Sequence, residues 1–356
     1  MVAPGTVAAV TLPVRPPVEP MLARAAEQIP AGAGWRYEPK WDGFRAIIFR
    51  DGDEVQVGSR NGQPLQRFFP EILDPLRAAL PASSVVDGEI IIATPQGLDF
   101  DALQMRLHPA ASRIRRLAAE TPSTVILFDL LGQGSADLRS RPLVTRRELL
   151  LGAVSPNERV ALTPHTADLE EATGWFTRYE GAGLDGLIAK PEDSTYQSGE
   201  RGWTKVKHLR TVDCVVGGYR MAVKGDGVGS LLLGFYDDDG VLHHAGHTSS
   251  FSAKERRELV ELLEPLQGGE SFGHGRTPGA PSRWSREKDS TWTALTPTLV
   301  CEVSFDHLQG QRFRHAARFL RWRSDRDPRS CTYDQLTPAD AFRLSDIVDL
   351  PDAGAG

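Results

Sequence analysis

Residues 35–50 read WRYEPKWDGFRAIIFR, and the interpretation of the whole chain starts from this stretch. It predicts a strand, a turn and a second strand, because the pair Asp42-Gly43 favours a tight turn. Within it, residues 40–45 (KWDGFR) fit a KxDGxR pattern, which places a lysine beside the turn. The KxDGxR pattern could mark a functional lysine beside the turn. It could also be an ordinary hairpin turn whose lysine and arginine are only solvated. The pattern alone leaves both interpretations open.

Further short motifs follow along the chain. They are residues 59–62 (SRNG), 87–89 (DGE), 128–129 (FD), 185–190 (DGLIAK), 203–207 (WTKVK) and 318–326 (RFLRWRSDR). Lys205 and Lys207 alternate along an expected strand, so both side chains project from one face. Two cations on one side of an apolar strand suit a phosphate, although a solvated strand edge would also accommodate them. Phe128 offers an aromatic face to a base, or is a core residue of a buried strand.

Lysine is scarce, with seven lysines among 41 basic residues. A coding bias toward arginine explains most of the basic surface. It does not explain why four of the seven lysines, Lys40, Lys190, Lys205 and Lys207, fall within the motifs. Arginine cannot replace lysine where a neutral amine attacks phosphorus or where a compact ammonium meets a phosphate. The lysine distribution therefore favours phosphate chemistry.

The overall composition is that of a globular protein. The 356 residues are enough for two domains, and 40% are hydrophobic and 25% charged. No apolar run approaches the roughly 20 residues of a membrane span, and the amino terminus lacks the pattern of a secretory signal. Three widely spaced cysteines predict neither a disulfide framework nor a zinc site. We therefore expect a reduced, cytoplasmic protein.

The net charge of −6 is unevenly distributed. Residues 201–224 contain six basic side chains and one acidic one, and residues 312–329 contain seven arginines and two aspartates. Local basic clusters matter more than the total charge when the partner is a polyanion. The two segments are therefore candidate contacts to nucleic acid.

The second part of the chain has a different texture. Residues 213–220, 230–236, 241–248 and 299–305 predict short strands, and residues 253–266 predict one helix capped by Ser252. Short strands around a single helix are typical of a small β-barrel of the OB type. We place the domain boundary between residues 209 and 212. The pattern HHAGH at residues 243–247 lacks a cysteine or acidic partner, so we expect a strand there rather than a metal site.

The order and spacing of these motifs resemble those of the covalent nucleotidyltransferases, and specifically of the ATP-dependent DNA ligases. The resemblance covers residues 35–327 and is strongest to the small bacterial ligases of the C type, which lack an added amino-terminal DNA-binding domain. It implies an α+β fold. An adenylyltransferase (nucleotidyltransferase) domain with antiparallel sheets, residues 1–209, would precede an OB-fold β-barrel, residues 210–356.

The resemblance also implies a role for each motif residue. Lys40 would be the nucleophile that becomes bonded to AMP, and nearby positive charge would favour its neutral form. Arg45 and Glu89 would hold ribose hydroxyls, while Arg60 would hold the 5′-phosphate of the broken strand. The expected contacts to nucleotide or nick are Glu38, Arg45, Arg60, Glu89, Phe128, Lys190, Arg201, Lys205, Lys207, Arg323, Asp325 and Arg326.

The expected metal is Mg²⁺, with Mn²⁺ as an alternative, and its expected ligands are Glu89 and Asp185. Asp185 stands where the family usually has glutamate, and its shorter side chain would reach the metal only through water. Arg326 stands where the family usually has lysine, which keeps the charge but changes the geometry. We expect Arg323, Asp325 and Arg326 to orient pyrophosphate as it leaves.

The implied activity is the sealing of nicks in duplex DNA with ATP, through a lysyl-AMP and an adenylated 5′-phosphate. The expected setting is DNA repair, replication or recombination, in the cytoplasm at the nucleoid. The expected protein is a monomer without membrane contact, working with a repair polymerase or an end-processing protein. Two alternatives remain at this stage: an RNA ligase or capping-type nucleotidyltransferase, and a non-catalytic module that binds DNA ends.

Overall fold

A computed structural model describes residues 12–94, 97–178, 184, 186–208, 210–223, 226–273, 291–306, 308–336 and 347–348. These residues form two compact units. The first contains the described residues up to His208 together with Ile347 and Val348, which pack in its core. The second contains the described residues from 210 to 336.

The first unit alternates strands with short helices. In chain order its elements are β1 (Ala23–Ala26), β2 (Trp35–Pro39), β3 (Phe44–Asp51), β4 (Glu54–Ser59), α1 (Leu73–Ala79), β5 (Ser83–Ile91), β6 (Ala93–Thr94), β7 (Gly97–Leu98), α2 (Phe100–Met105), α3 (Ala111–Glu120), β8 (Thr124–Gln133), β9 (Ala136–Asp137), α4 (Leu143–Ala153), β10 (Val160–Leu162), α5 (Leu169–Arg178), β11 (Gly186–Pro191) and β12 (Trp203–Lys207).

Most of these strands form two mainly antiparallel sheets. One sheet has the order β1-β12-β11-β2, and the other has the order β10-β8-β5-β3-β4 with β9 paired to β8. The apolar strands β5 and β8 lie inside the larger sheet, where almost every residue is buried. The predicted antiparallel character of the first domain is confirmed.

The predicted hairpin at residues 35–50 is wrong in one respect. The strands β2 and β3 form as expected, but β2 pairs with β11 and β3 pairs with β4 and β5, so they belong to different sheets. Gly43 explains the error, because a Cβ atom there would meet the carbonyl oxygen of Ile90 at 2.3 Å. Glycine is needed for close backbone approach, and residues 40–43 connect the two sheets.

The pair Asp87-Gly88 likewise predicts a turn between two strands in residues 84–93, and this prediction is also wrong. These residues lie inside the single strand β5, with a shift of register against β8 between Asp87 and Gly88. A Cβ atom at Gly88 would meet the carbonyl oxygen of Ile126 at 2.7 Å. Here too the glycine permits close packing of neighbouring strands instead of a turn.

The second unit is built on one sheet and one helix. Its elements are β13 (Arg210–Met221), β14 (Val228–Tyr236), β15 (Leu242–Thr248), α6 (Ala253–Leu263), β16 (Thr293–Phe305), β17 (Leu308–Gln309), β18 (Arg312–Phe313) and β19 (Arg318–Trp322). As predicted, Ser252 caps α6, where it forms a capping box with Glu255.

The five-stranded sheet of the second unit has the order β15-β14-β13-β16-β19. Its two edge strands meet, since Thr248 bridges to Ala317 and the Ala317 N–H donates to the carbonyl of His247 at 2.9 Å. This contact closes the sheet into the predicted small barrel. In the described part of the chain, every helix is too short or too polar to cross a lipid bilayer.

Candidate active site

A cavity of about 890 Å³ in the first unit is lined by strands of both sheets. Its volume lies in the range of about 300–1,000 Å³ that is typical of sites for small molecules. Many of the residues proposed from the sequence line it: Glu38, Lys40, Arg45, Arg60, Glu89, Phe128, Lys190, Arg201 and Lys205. The fold therefore brings together residues that are up to 167 positions apart in the chain.

Lys40 lies on the segment that connects the two sheets. Its backbone N–H donates to the carbonyl of Gly186 at 2.9 Å, which continues the pairing of β2 with β11. The next residue, Trp41, is buried, and its indole Nε1 donates to Thr163 Oγ1 at 2.9 Å. The backbone on both sides of the lysine is thus fixed, while the side chain lines the cavity.

Arg45 is held from behind by Asp87. Its Nε lies 2.5 Å from Asp87 Oδ1 and its Nη2 lies 2.6 Å from Oδ2, a bidentate pair with a fully buried carboxylate. Bidentate geometry fixes the plane of the guanidinium as well as its position. Sequence analysis singled out the DGE motif but assigned no role to Asp87.

Glu89 pairs in register with Arg45 across β3 and β5, and it also lines the cavity. Burial raises the pKa of Glu89 to about 7, although the charges of Arg45 and Lys40 oppose this shift. Among the described residues that line the cavity, Glu38 and Glu89 are the acidic ones. Glu38 pairs with Lys190, and a contact from Glu89 to a metal ion stays a prediction.

The aromatic part of the cavity is formed by Phe128 and Trp203, which are both buried. The Lys190 ammonium lies 4.5 Å and 4.3 Å from the centroids of these two rings. The same Nζ lies 2.5 Å from Glu38 Oε2. The structure thus pairs Lys190 with Glu38, and the expected contact from Lys190 to a phosphate stays a prediction. Trp203, which the sequence analysis did not assign, joins Phe128 as an aromatic wall.

Three more of the predicted cations reach the cavity, one from β12 and two from the segments next to β4 and β12. Arg60 and Arg201 are exposed, and Lys205 projects from β12. Lys207, at the end of the same strand opposite Gly186, is absent from the lining. Of the two lysines expected to project from one face of this strand, Lys205 lines the cavity and Lys207 does not.

The predicted residues of the second unit form a cluster around Asp213. Arg323 Nη1 lies 3.0 Å from both carboxylate oxygens of Asp213, and its Nη2 lies 2.8 Å from Asp325 Oδ2. Arg326 Nε lies 3.4 Å from Asp213 Oδ2. The Arg323 guanidinium lowers the pKa of Asp325 to about 2. Asp213, which contacts both arginines, lies in no sequence motif and was not predicted as a site residue.

The remaining sequence predictions concern metals. Asp185 lies outside the described residues. In the HHAGH pattern, His243 Nε2 lies 2.6 Å from Asp237 Oδ2, so the expectation that this pattern lacks an acidic partner is wrong for His243. No group of three or more histidines, cysteines and acids among the described residues is arranged to hold a metal ion.

Comparison with known proteins identifies the class. The profile of the family described as "ATP dependent DNA ligase domain" matches residues 20–207, and that of "ATP dependent DNA ligase C terminal region" matches residues 224–326. A solved structure of Lig E DNA ligases is similar in fold, with a TM-score of 0.52 and 20% identity over 85% of this chain and 99% of that one. Fold, cavity and profiles together define a nucleotidyltransferase with a carboxyl-terminal OB barrel.

The family follows from relatives of matching length. The chain is 51% identical to DNA ligase C of Mycobacterium tuberculosis over 95% of this chain and 98% of that protein. It is 49% identical to DNA ligase C1 of Mycolicibacterium smegmatis over 95% of this chain and 99% of that protein. The chain belongs to the ATP-dependent DNA ligases, in their small bacterial form, and its activity is ATP-dependent DNA ligation. The resemblance and the fold class predicted from the sequence are confirmed.

Proposed function

We propose that Lys40 is the residue through which this ligase acts. Its Nζ attacks the α-phosphate of ATP, a phosphorus–nitrogen bond forms, and pyrophosphate leaves. The AMP passes to the 5′-phosphate at a nick in duplex DNA, and the free lysine amine is restored. The 3′-hydroxyl on the other side of the nick then attacks this activated phosphate, the DNA strand is joined, and AMP leaves. The observation that supports this assignment is the position of Lys40 on the fixed connection between two sheets, facing a cavity of nucleotide size.

The side chains around the cavity suit separate parts of ATP. Phe128 and Trp203 offer apolar faces to the base, and Arg45 and Glu89 offer a donor and an acceptor to the ribose. Lys205, Arg201 and Arg60 bring positive charge for ATP phosphates or the 5′-phosphate of the nick. In this proposal Arg323, Asp325 and Arg326 of the second unit orient pyrophosphate.

The donor set is compatible with Mg²⁺. This ion is usually held by one or two carboxylates together with substrate phosphates and water, and Glu89 supplies one such carboxylate at the cavity. When bound, the ion neutralises charge on the phosphate oxygens.

For the cellular setting, we infer that the protein seals nicks in DNA repair and that it acts as a monomer. Sedimentation of the purified protein tests the oligomeric state.

Self-adenylation with ATP labelled at the α-phosphate tests the assignment. Wild type should retain label after denaturation, and Lys40→Ala should retain none. Lys254→Ala is a matched control, because Lys254 is an exposed lysine of α6 that pairs with Glu258. It should label like wild type. Equal labelling of Lys40→Ala would exclude the proposal.

A further inference from the structure

A hydrogen-bonded chain connects Arg45 to the amino-terminal segment. Asp87 Oδ2, which accepts from Arg45 Nη2, also accepts from the Tyr196 hydroxyl at 2.6 Å. That hydroxyl accepts in turn from the backbone N–H of Met21 at 2.9 Å. The carbonyl of Met21 accepts from Arg45 Nη2 at 3.1 Å, which closes the circuit. All four residues contribute to one polar ring.

Three of the four residues of the ring are buried, and the Arg45 side chain is 18% exposed. Asp87 is fully buried, Met21 is 1% exposed and Tyr196 is 5% exposed. Burial raises the pKa of Tyr196 well above its ordinary value, so the hydroxyl keeps its proton and acts as the donor to Asp87. Loss of the hydroxyl would leave the buried N–H of Met21 without its acceptor, which is unfavourable.

The guanidinium of Arg45 is fixed in a specific way by this ring. Its Nε and Nη2 are committed to Asp87 and Met21. The central guanidinium carbon of Arg45, Cζ, lies 4.7 Å from the centroid of the Phe128 ring and 5.1 Å from that of the Trp203 ring. In the described part of the chain, Nη1 donates to no protein acceptor, so it is the nitrogen that remains for a ligand in the cavity.

The amino-terminal segment is itself part of the site. The Leu22 N–H donates to Glu200 at 2.7 Å, and the Trp203 N–H donates back to Leu22 at 3.2 Å. Leu22, Ala23 and Ala25 line the same cavity as Arg45. A displacement of Met21 would therefore move both the arginine and this wall of the cavity.

We propose that Tyr196 is a positioning residue that orients Arg45 for recognition of the nucleotide sugar. It acts by fixing the carboxylate of Asp87 and the backbone of Met21, and it touches no substrate itself. The inference rests on the proposed function, in which Arg45 contacts a ribose hydroxyl. It predicts that the Tyr196 hydroxyl controls discrimination between ATP and its deoxy analogues.

The test compares kcat/KM for multiple-turnover sealing of nicked DNA, with ATP, 2′-deoxy-ATP or 3′-deoxy-ATP as the nucleotide. Tyr196→Phe keeps the ring and removes the hydroxyl. It should raise KM for ATP more than it lowers kcat, and it should reduce the preference for ATP over at least one analogue by about threefold or more. If both preferences equal those of wild type, the proposal is overturned.

Tyr37→Phe is the matched control. Tyr37 is also fully buried in the first unit, but its hydroxyl donates to the carbonyl of Pro30 at 2.7 Å. This variant should keep the wild-type preference, which separates positioning from a general loss of stability. If Tyr196→Phe does not fold, the same ratios are measured in Asp87→Asn, where they should also fall. Self-adenylation of wild type at Lys40 is scored separately, so failure of the proposed function is recognised independently.

Discussion

Lys190 and Glu38 form an ion pair inside the protein, with Nζ 2.5 Å from Oε2 and side chains that are 1% and 5% exposed. Burial lowers the pKa of Lys190, and the charge of Glu38 opposes this shift. Removing one member of a buried pair leaves an uncompensated charge, whereas removing both members is often nearly neutral.

We therefore expect Glu38→Gln and Lys190→Met each to lower the free energy of unfolding by about 3–5 kcal/mol. The double variant should lose much less than the sum of the two. Urea unfolding of the four proteins measures this coupling. Strictly additive losses would show that the pair does not act as a unit.

His165 should make stability depend on pH. Burial lowers the pKa of His165 from 6.5 to about 4, and Arg147, Arg36 and Lys190 contribute in the same direction. The unfolded chain thus binds the proton at a higher pH than the folded protein does. The contribution of the neutral imidazole is complete above pH 6.5 and is lost as the pH falls toward 4.

His165→Gln should flatten the decline in unfolding free energy between pH 6.5 and 4 by about 1–2 kcal/mol, since the side chain is only partly buried. His315→Gln serves as the control because the side chain of His315 is 60% exposed. Urea unfolding at several pH values provides the measurement. A His165→Gln profile parallel to that of wild type would contradict the interpretation.

Gly43 should resist substitution despite its ordinary backbone angles. Alanine there would place a Cβ atom 2.3 Å from the Ile90 carbonyl oxygen, so the connection that carries Lys40 would have to shift. We expect Gly43→Ala to reduce stability by about 1–3 kcal/mol in thermal unfolding. Gly152 in α4 has no neighbour within 4 Å of an added Cβ, and Gly152→Ala should stabilise by about 0.5–1 kcal/mol. Equal effects at both positions would refute this explanation.

Prediction from the sequence was reliable for the motif lysines and unreliable for two of the Asp-Gly pairs. Three of the four motif lysines, Lys40, Lys190 and Lys205, line one cavity, and in a chain with so few lysines their spacing carries specific information. The pairs Asp42-Gly43 and Asp87-Gly88 were wrongly predicted to form turns between paired strands, because the local rule cannot detect a neighbouring strand. In the fold, a Cβ atom on Gly43 or Gly88 would meet a backbone oxygen of Ile90 or Ile126, which lie on a distant segment of the chain.

The residues that the sequence analysis missed act through long-range contacts. Tyr196 reaches Asp87 across 109 positions, and Arg323 reaches Asp213 across 110. Neither Tyr196 nor Asp213 lies in a motif, and their side chains support others rather than lining the cavity. Such partners become visible only when the strands that carry them are placed side by side.

Arg323→Ala should separate the steps of the reaction. The proposed contact to pyrophosphate predicts that self-adenylation slows by about tenfold or more, while sealing of a pre-adenylated nick changes little. Arg321→Ala is the control, since this neighbouring arginine is 64% exposed and pairs with Glu302. Self-adenylation is followed with ATP labelled at the α-phosphate, and sealing is followed on a labelled duplex that carries a pre-adenylated nick. Slower sealing with normal self-adenylation would reject the assignment.

The most direct test of the account is mass spectrometry of the protein after incubation with ATP and Mg²⁺, followed by digestion with trypsin. We predict one AMP adduct, attached through a phosphoramidate to Lys40 in the peptide of residues 37–45, which trypsin leaves uncut at the modified lysine. An adduct on any other lysine, or none in protein that seals nicks, would contradict the central claim.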